Sequence, residues 1–245
     1  MGKIMKKAVM KRPVTLDVLP EEVVAEITAR VVSSSPAMLS VSDLANMKLT
    51  CKMLGEAARD RWVLKRATIV DRSRGLGWWL YRQGSWRLVV DCAEAGNQLA
   101  SCILGMVECY NKKRKENGKL HLAVAAEEGC MEAMYALGIL LLSEQGPSTA
   151  VGVEWLERAA KAGGGGAAGL VKSRKKAMQM LRDLWIADGL LQPQPWHCAD
   201  DECGKLARGE ASKGWWCEED EENDRRFCSS LCRSIYEFNK FVKQL

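Results

Sequence analysis

One stretch of this chain is written more than once. Ala93-Glu94-Ala95-Gly96, running on through Ala100 to Leu104-Gly105, recurs as Ala126-Glu127-Glu128-Gly129, Ala133 and Leu137-Gly138, an offset of 33 residues. A third start lies at Ala159-Ala160-Lys161-Ala162-Gly163, 34 residues after its counterpart, with Trp155 and Leu156 just before it. A period of this length suits a two-helix unit that cannot bury its apolar face alone, so the copies must stack. Small Ala and Gly at fixed positions let paired helices approach, while Leu and Trp fill the space between hairpins. The repeat predicts a short α-solenoid of stacked helical hairpins over residues 91–170, acting as a spacer or holding a peptide or protein on its concave face. Gly163 to Gly166 are expected to end the pattern as a flexible joint. They are no phosphate loop, because no strand precedes them and no Lys-Ser or Lys-Thr follows in place. A connecting helix is expected over 171–192, with Met178, Leu181, Leu184 and Trp185 on its apolar face.

The repeats resemble Sel-like repeats, relatives of the tetratricopeptide family. Upstream, Leu19, Val23, Val24, Ile27 and Val31 line one helical face, with Pro20 suited to the first turn and Glu21 and Glu22 to the positive helix end. Ser33 to Pro36 break this helix, and Val41, Leu44, Met47, Leu49, Cys51, Leu54 and Ala58 continue a second pattern. The order Leu19-Pro20-Glu21-Glu22-Val23-Val24, then Ile27, then Leu44 through Leu49-Thr50-Cys51-Lys52 resembles an F-box over residues 16–66. That resemblance implies a helical module docking on the Skp-family adaptor of a cullin-based ubiquitin ligase. Leu19, Pro20, Val23, Ile27, Leu44, Leu49 and Cys51 would then lie at or near the docking surface. Two departures stand against it: the connection from Ser33 to Ser40 is long, and Met53-Leu54 replaces the aromatic common after the Cys-Lys pair. The same residues would otherwise serve only the core of a helical hairpin.

Five of the ten cysteines fall between Cys198 and Cys232, beyond the boundary at Pro193-Gln194-Pro195. No secretory signal is seen: residues 1–15 form a basic tail carrying Lys3, Lys6, Lys7, Lys11 and Arg12 without an apolar stretch. A reducing compartment is expected, where clustered cysteines point to metal. The pairs Cys198-x4-Cys203 and Cys228-x3-Cys232 supply the four thiolates of a tetrahedral structural zinc site, and residues 196–245 have little other core. Cys217 and His197 compete as ligands, and reduced cysteines packed in a core are the plainer alternative. The end Phe227-Cys228-Ser229-Ser230-Leu231-Cys232 resembles the knuckle-then-helix of a treble-clef finger. The whole segment resembles the MYND-type fingers that accompany F-box and Sel-like repeats in a group of plant proteins. That family binds two zincs; here the middle cysteine pair is reduced to Cys217, so the resemblance implies one structural ion.

The expected fold is mainly α: an F-box helical module, a short α-solenoid and a small treble-clef-like zinc finger. Catalysis finds no support. There are two histidines, no nucleophile elbow and no paired-His metal motif, and a closed four-thiolate site lacks the open position that metal catalysis needs. No apolar run reaches the roughly 20 residues that cross a bilayer, so no membrane partner is expected. The net charge of +5 is spread along the chain, and six acidic residues crowd the seven from Glu218 to Asp224, which disfavours nucleic acid. The expected role is that of a substrate receptor in the nucleus or cytoplasm, linking a Skp-family adaptor and cullin complex to an unknown target protein. The rivals are a ligase-independent scaffold or transcriptional cofactor, and a redox sensor.

Overall fold

The computed structural model describes residues 18–34, 40–69, 85–184, 186, 191–193, 195, 197–208 and 227–245. The basic tail, Trp185 and Cys217 lie outside them. Among the described residues there are helices and no strands.

Four helices form the N-terminal module: α1 (Glu21–Ser34), α2 (Ser40–Thr50), α3 (Lys52–Ala57) and α4 (Arg61–Arg66). In α1 the apolar residues fall into two neighbouring stripes. Val24 and Val32 are buried with Thr28, whose hydroxyl donates to the Val24 carbonyl at 2.8 Å. Val23, Ile27 and Val31, one position earlier each time, face out. The second pattern is broken rather than continuous: Cys51 is extended (φ −156°, ψ 164°), so α2 stops at Thr50 and α3 starts at Lys52. Asp60 restarts the chain as the cap of α4, accepting from the Trp62 amide at 2.7 Å.

Three hairpins follow. They are α5 (Ser85–Glu94) with α6 (Gln98–Met106), α7 (Lys115–Glu127) with α8 (Met131–Glu144), and α9 (Ser148–Gly163) with α10 (Gly166–Asp183). A short π-helical turn, Val107–Asn111, extends α6. Each hairpin turns through one device. Within two residues after the first helix stands a glycine with positive φ (Gly96 86°, Gly129 98°, Gly164 119°), and the next amide reaches back five residues. Those bonds are Asn97 to Cys92 (2.9 Å), Cys130 to Ala125 (3.0 Å) and Gly165 to Ala160 (2.8 Å).

Here the structure corrects two expectations. The glycine quadruplet is the third copy of this turn, not a flexible joint, and Gly163 is the last residue of α9. Residue 171 lies inside α10, so the solenoid runs through Asp183 instead of ending near 170.

Adjacent hairpins meet backbone to backbone. A Cβ on Gly105 would lie 2.9 Å from the Gly118 carbonyl oxygen, and one on Gly118 would lie 2.8 Å from that of Gly105. Gly138 and Gly152 repeat the arrangement at 3.0 Å both ways. Around these seams Ile103, Met106, Leu122, Tyr135, Ile139 and Leu156 are fully buried.

Both ends of the solenoid are covered by the chain itself. At the start, Asn97 is 4% exposed and its Nδ2 donates to the carbonyls of Leu64, Lys65 and Ala67 at 3.1, 3.0 and 2.7 Å. Its Oδ1 meanwhile caps α6 by accepting from the Ala100 amide at 3.0 Å. One side chain thus closes the C-terminal end of α4 and opens the second helix of the first hairpin. At the far end, α11 (Asp201–Arg208) packs on α12 (Ser230–Gln244), and α12 lies against α8 and α9. No helix among the described residues is long and apolar enough to cross a membrane.

Candidate metal centre

Cys198, Cys203, Cys228 and Cys232 come together although up to 34 residues separate them. Their sulfur atoms all lie within 4.8 Å of one another. The Cys228 sulfur sits 3.3 Å from that of Cys198, 3.6 Å from Cys203 and 3.5 Å from Cys232, and Cys232 is 3.8 Å from Cys198. These separations are far beyond the roughly 2.05 Å of a disulfide. They are what a common cation between the sulfurs requires.

Two capped helices place two of the four cysteines, Cys203 and Cys232. Asp200 accepts from the Cys203 amide at 3.0 Å at the start of α11, and Ser229 accepts from the Cys232 amide at 3.2 Å at the start of α12. In each case the cap lies three residues before the cysteine, so the sulfur sits in the first helical turn, where the helix dipole favours a thiolate. The Cys228 amide then donates to the Cys203 sulfur at 3.4 Å, tying the two knuckles together. Cys203 and Cys232 are buried, Cys198 is half-buried and Cys228 exposed, so the cluster opens on one side of the fold.

Crowding the sulfurs has an electrostatic cost. The Cys198 thiol is pushed above its ordinary range by its bond with Cys228, and that of Cys203 by burial. Four neighbouring sulfurs cannot all ionise unless a cation neutralises them. The cluster can therefore hold a metal ion. His197 is exposed and is not among the converging groups, while Cys217 falls outside the described residues.

The C-terminal helix carries a second, deeper constellation that the sequence reading missed. Glu237 accepts from Arg174 of α10 at 2.7 Å and from the Tyr135 hydroxyl of α8 at 3.3 Å, with both charged side chains no more than 5% exposed. Phe241 stands edge-on to Tyr135 at 5.5 Å between ring centroids. Farther along the helix, the Asn239 amide donates to the Ala207 carbonyl at 3.2 Å and joins α12 to the end of α11. The Asp-x-x-Cys and Ser-x-x-Cys spacings were readable signals for the caps. Nothing local announces a pair drawn from α10 and α12.

The residues expected at an adaptor surface divide. Val23 (41%), Ile27 (42%) and Leu49 (85%) are exposed, as are Pro20 and Cys51, and Leu19 is half-buried. Leu44 departs from the expectation: at 0% exposure it is part of the module's core and presents no surface. Its place on α2 faces inward toward α1 and α3, the helices packed on it.

Residues 72–182 match the family model of plant tetratrico peptide repeats. The candidate F-box protein At1g67623 of Arabidopsis thaliana is 28% identical over 156 residues, covering 64% of this chain and 50% of that protein. From the same organism, F-box protein At2g35280 is 29% identical over 57% of this chain and 83% of its own length. F-box protein At1g67340 is also 29% identical, over 54% of this chain and 34% of its own. The chain thus spans half the length of the first of these relatives. No solved structure matches it. The relatives it matches are plant F-box proteins, and its solenoid falls within the stretch similar to plant tetratrico peptide repeats.

Proposed function

We propose that this chain is a substrate-receptor subunit of a cullin-based ubiquitin ligase. Its N-terminal module would bind the Skp-family adaptor, and the solenoid or the cysteine-bearing C-terminal segment would hold the target protein. The observation that carries this reading is the second apolar stripe of α1. Val23, Ile27 and Val31 are between 36% and 42% exposed beside a stripe already buried, and Val18 just upstream is 73% exposed. A hairpin serving only its own core has no use for that outer row, whereas an adaptor-binding surface does. The likeness to plant F-box proteins supports it. The protein would act by binding rather than catalysis, in the nucleus or cytoplasm.

The ion is proposed to be one structural zinc. Four sulfurs at about 2.3 Å from a tetrahedral zinc stand about 3.8 Å apart, near the separations found here. In that role zinc would be closed to substrate and would hold the loop before α11 to the loop before α12.

Co-purification with a Skp-family adaptor tests the function. Wild-type protein is expected to retain the adaptor, and a folded Val23→Lys/Ile27→Lys variant to lose it. An adaptor that ignores the wild type would remove the ligase reading and leave a repeat scaffold.

A further inference from the structure

The helix that follows the cysteines is fastened unevenly. Its second half is packed: Phe238 and Phe241 are fully buried, and Glu237 is locked between Arg174 and Tyr135. Its first turn buries Cys232 and packs Leu231 on the core but leaves one side open. A cleft of about 270 Å³ remains between that turn and the third hairpin, lined by Leu156, Ala160 and Leu170 on one side and Phe227, Ser230 and Arg233 on the other. The end beside the cleft is also the end that carries Cys228 and Cys232. On the side the cleft leaves open, the sulfur cluster is the remaining fastening of this end.

We propose that the cysteine cluster is a latch: bound metal holds α12 over a helix-binding face of α8–α10, and loss of the metal lets the helix lift and bares that face. The inference rests on the cluster being a metal centre. The bared surface would be apolar around Tyr135 and Leu156, with the Arg174 guanidinium left without the Glu237 carboxylate. Such a surface suits an amphipathic helix that carries a carboxylate and two aromatics within about two turns, the pattern α12 itself presents at Glu237, Phe238 and Phe241. The chain's own C-terminal helix therefore occupies a ligand seat of the solenoid in cis. Metal occupancy decides whether that seat is covered.

The test uses the full chain and zinc. Elemental analysis first counts the metal retained after loading, with about one equivalent expected; none retained would remove the metal-centre reading itself. Hydrogen exchange read by mass spectrometry is then compared with zinc bound, after removal by a chelator, and after zinc is restored. The latch predicts exchange faster by tenfold or more over residues 230–244 and the facing parts of α8 and α9 on zinc removal. It also predicts unchanged protection in α5 to α7, with recovery when zinc returns. An α12 that stays protected without zinc overturns the latch while leaving the metal centre intact. So does a loss of protection throughout the chain at once, which would make zinc a determinant of the whole fold.

Discussion

Arg174 and Glu237 meet at 2.7 Å in the interior, 63 residues apart in the chain, and their pairing joins the last repeat helix to the last helix of the protein. Neither charge can stay buried alone. Removing one partner by Arg174→Met is expected to cost about 3–5 kcal/mol of stability, because the remaining carboxylate is stranded away from water. The double change Arg174→Met/Glu237→Leu should recover most of that loss. Denaturant unfolding of the three proteins checks both statements, and a double mutant as unstable as the single one would refute the account.

Asn97 ties the N-terminal module to the solenoid through three carbonyls of the α4 end. Asn97→Ala leaves these acceptors and the Ala100 amide unpaired in a buried place, at a cost of about 1–3 kcal/mol. Limited proteolysis should report it as faster cleavage between residues 67 and 97 than elsewhere.

Leu44 and Ile27 lie in one module yet should answer substitution in opposite ways. Leu44→Ala opens a cavity in the core and is expected to cost about 2–5 kcal/mol. Ile27→Ser removes an exposed side chain and should change the melting temperature little, whatever it does to adaptor capture. Calorimetry on the two variants separates the structural residue from the surface one.

Serine in place of Cys203 or Cys232 is expected to abolish retention of one equivalent of metal, whereas Cys51→Ser, far from the cluster in sequence and exposed, should keep it. Elemental analysis after gel filtration decides this. Metal retained by both cluster variants would mean that other residues hold the ion.

Two buried thiols make the fold sensitive to alkali. Burial raises Cys92 and Cys109 from 9.0 to about 12. Between those values the unfolded chain releases these protons and the folded chain does not, so the unfolded state gains stability as pH climbs. Resistance to urea should therefore fall above about pH 9, with the fall from these groups complete near pH 12. Replacing both residues with alanine should flatten that part of the profile.

Much of this organisation was legible in the residues because it rests on short-range chemistry. Gly96, Gly129, Gly105 and Gly138 were legible as small residues at a fixed offset that let helices approach, but the positive φ of the first two and the inter-hairpin seams of the others came only with the structure. The cysteine pairs declared themselves by spacing. The third turn was misread because its positive-φ residue is Gly164, 35 residues after Gly129, in a run of glycines that looks like a linker. Leu44 was misplaced because periodicity shows that a residue is apolar on a helical face, not which of two apolar faces is covered. The Arg174–Glu237 pair has no sequence signature at all, since it depends on how α12 returns across the repeats.

The glycine seams have a mechanical consequence. At Gly105–Gly118 and Gly138–Gly152 the main chains come into direct contact, with the Leu122, Cys109 and Leu156 side chains packed tightly against the same glycines. Joints of that kind resist both compression and hinging, so the solenoid should behave as a stiff beam. A pull or push applied at one end would reach the other without being absorbed between hairpins.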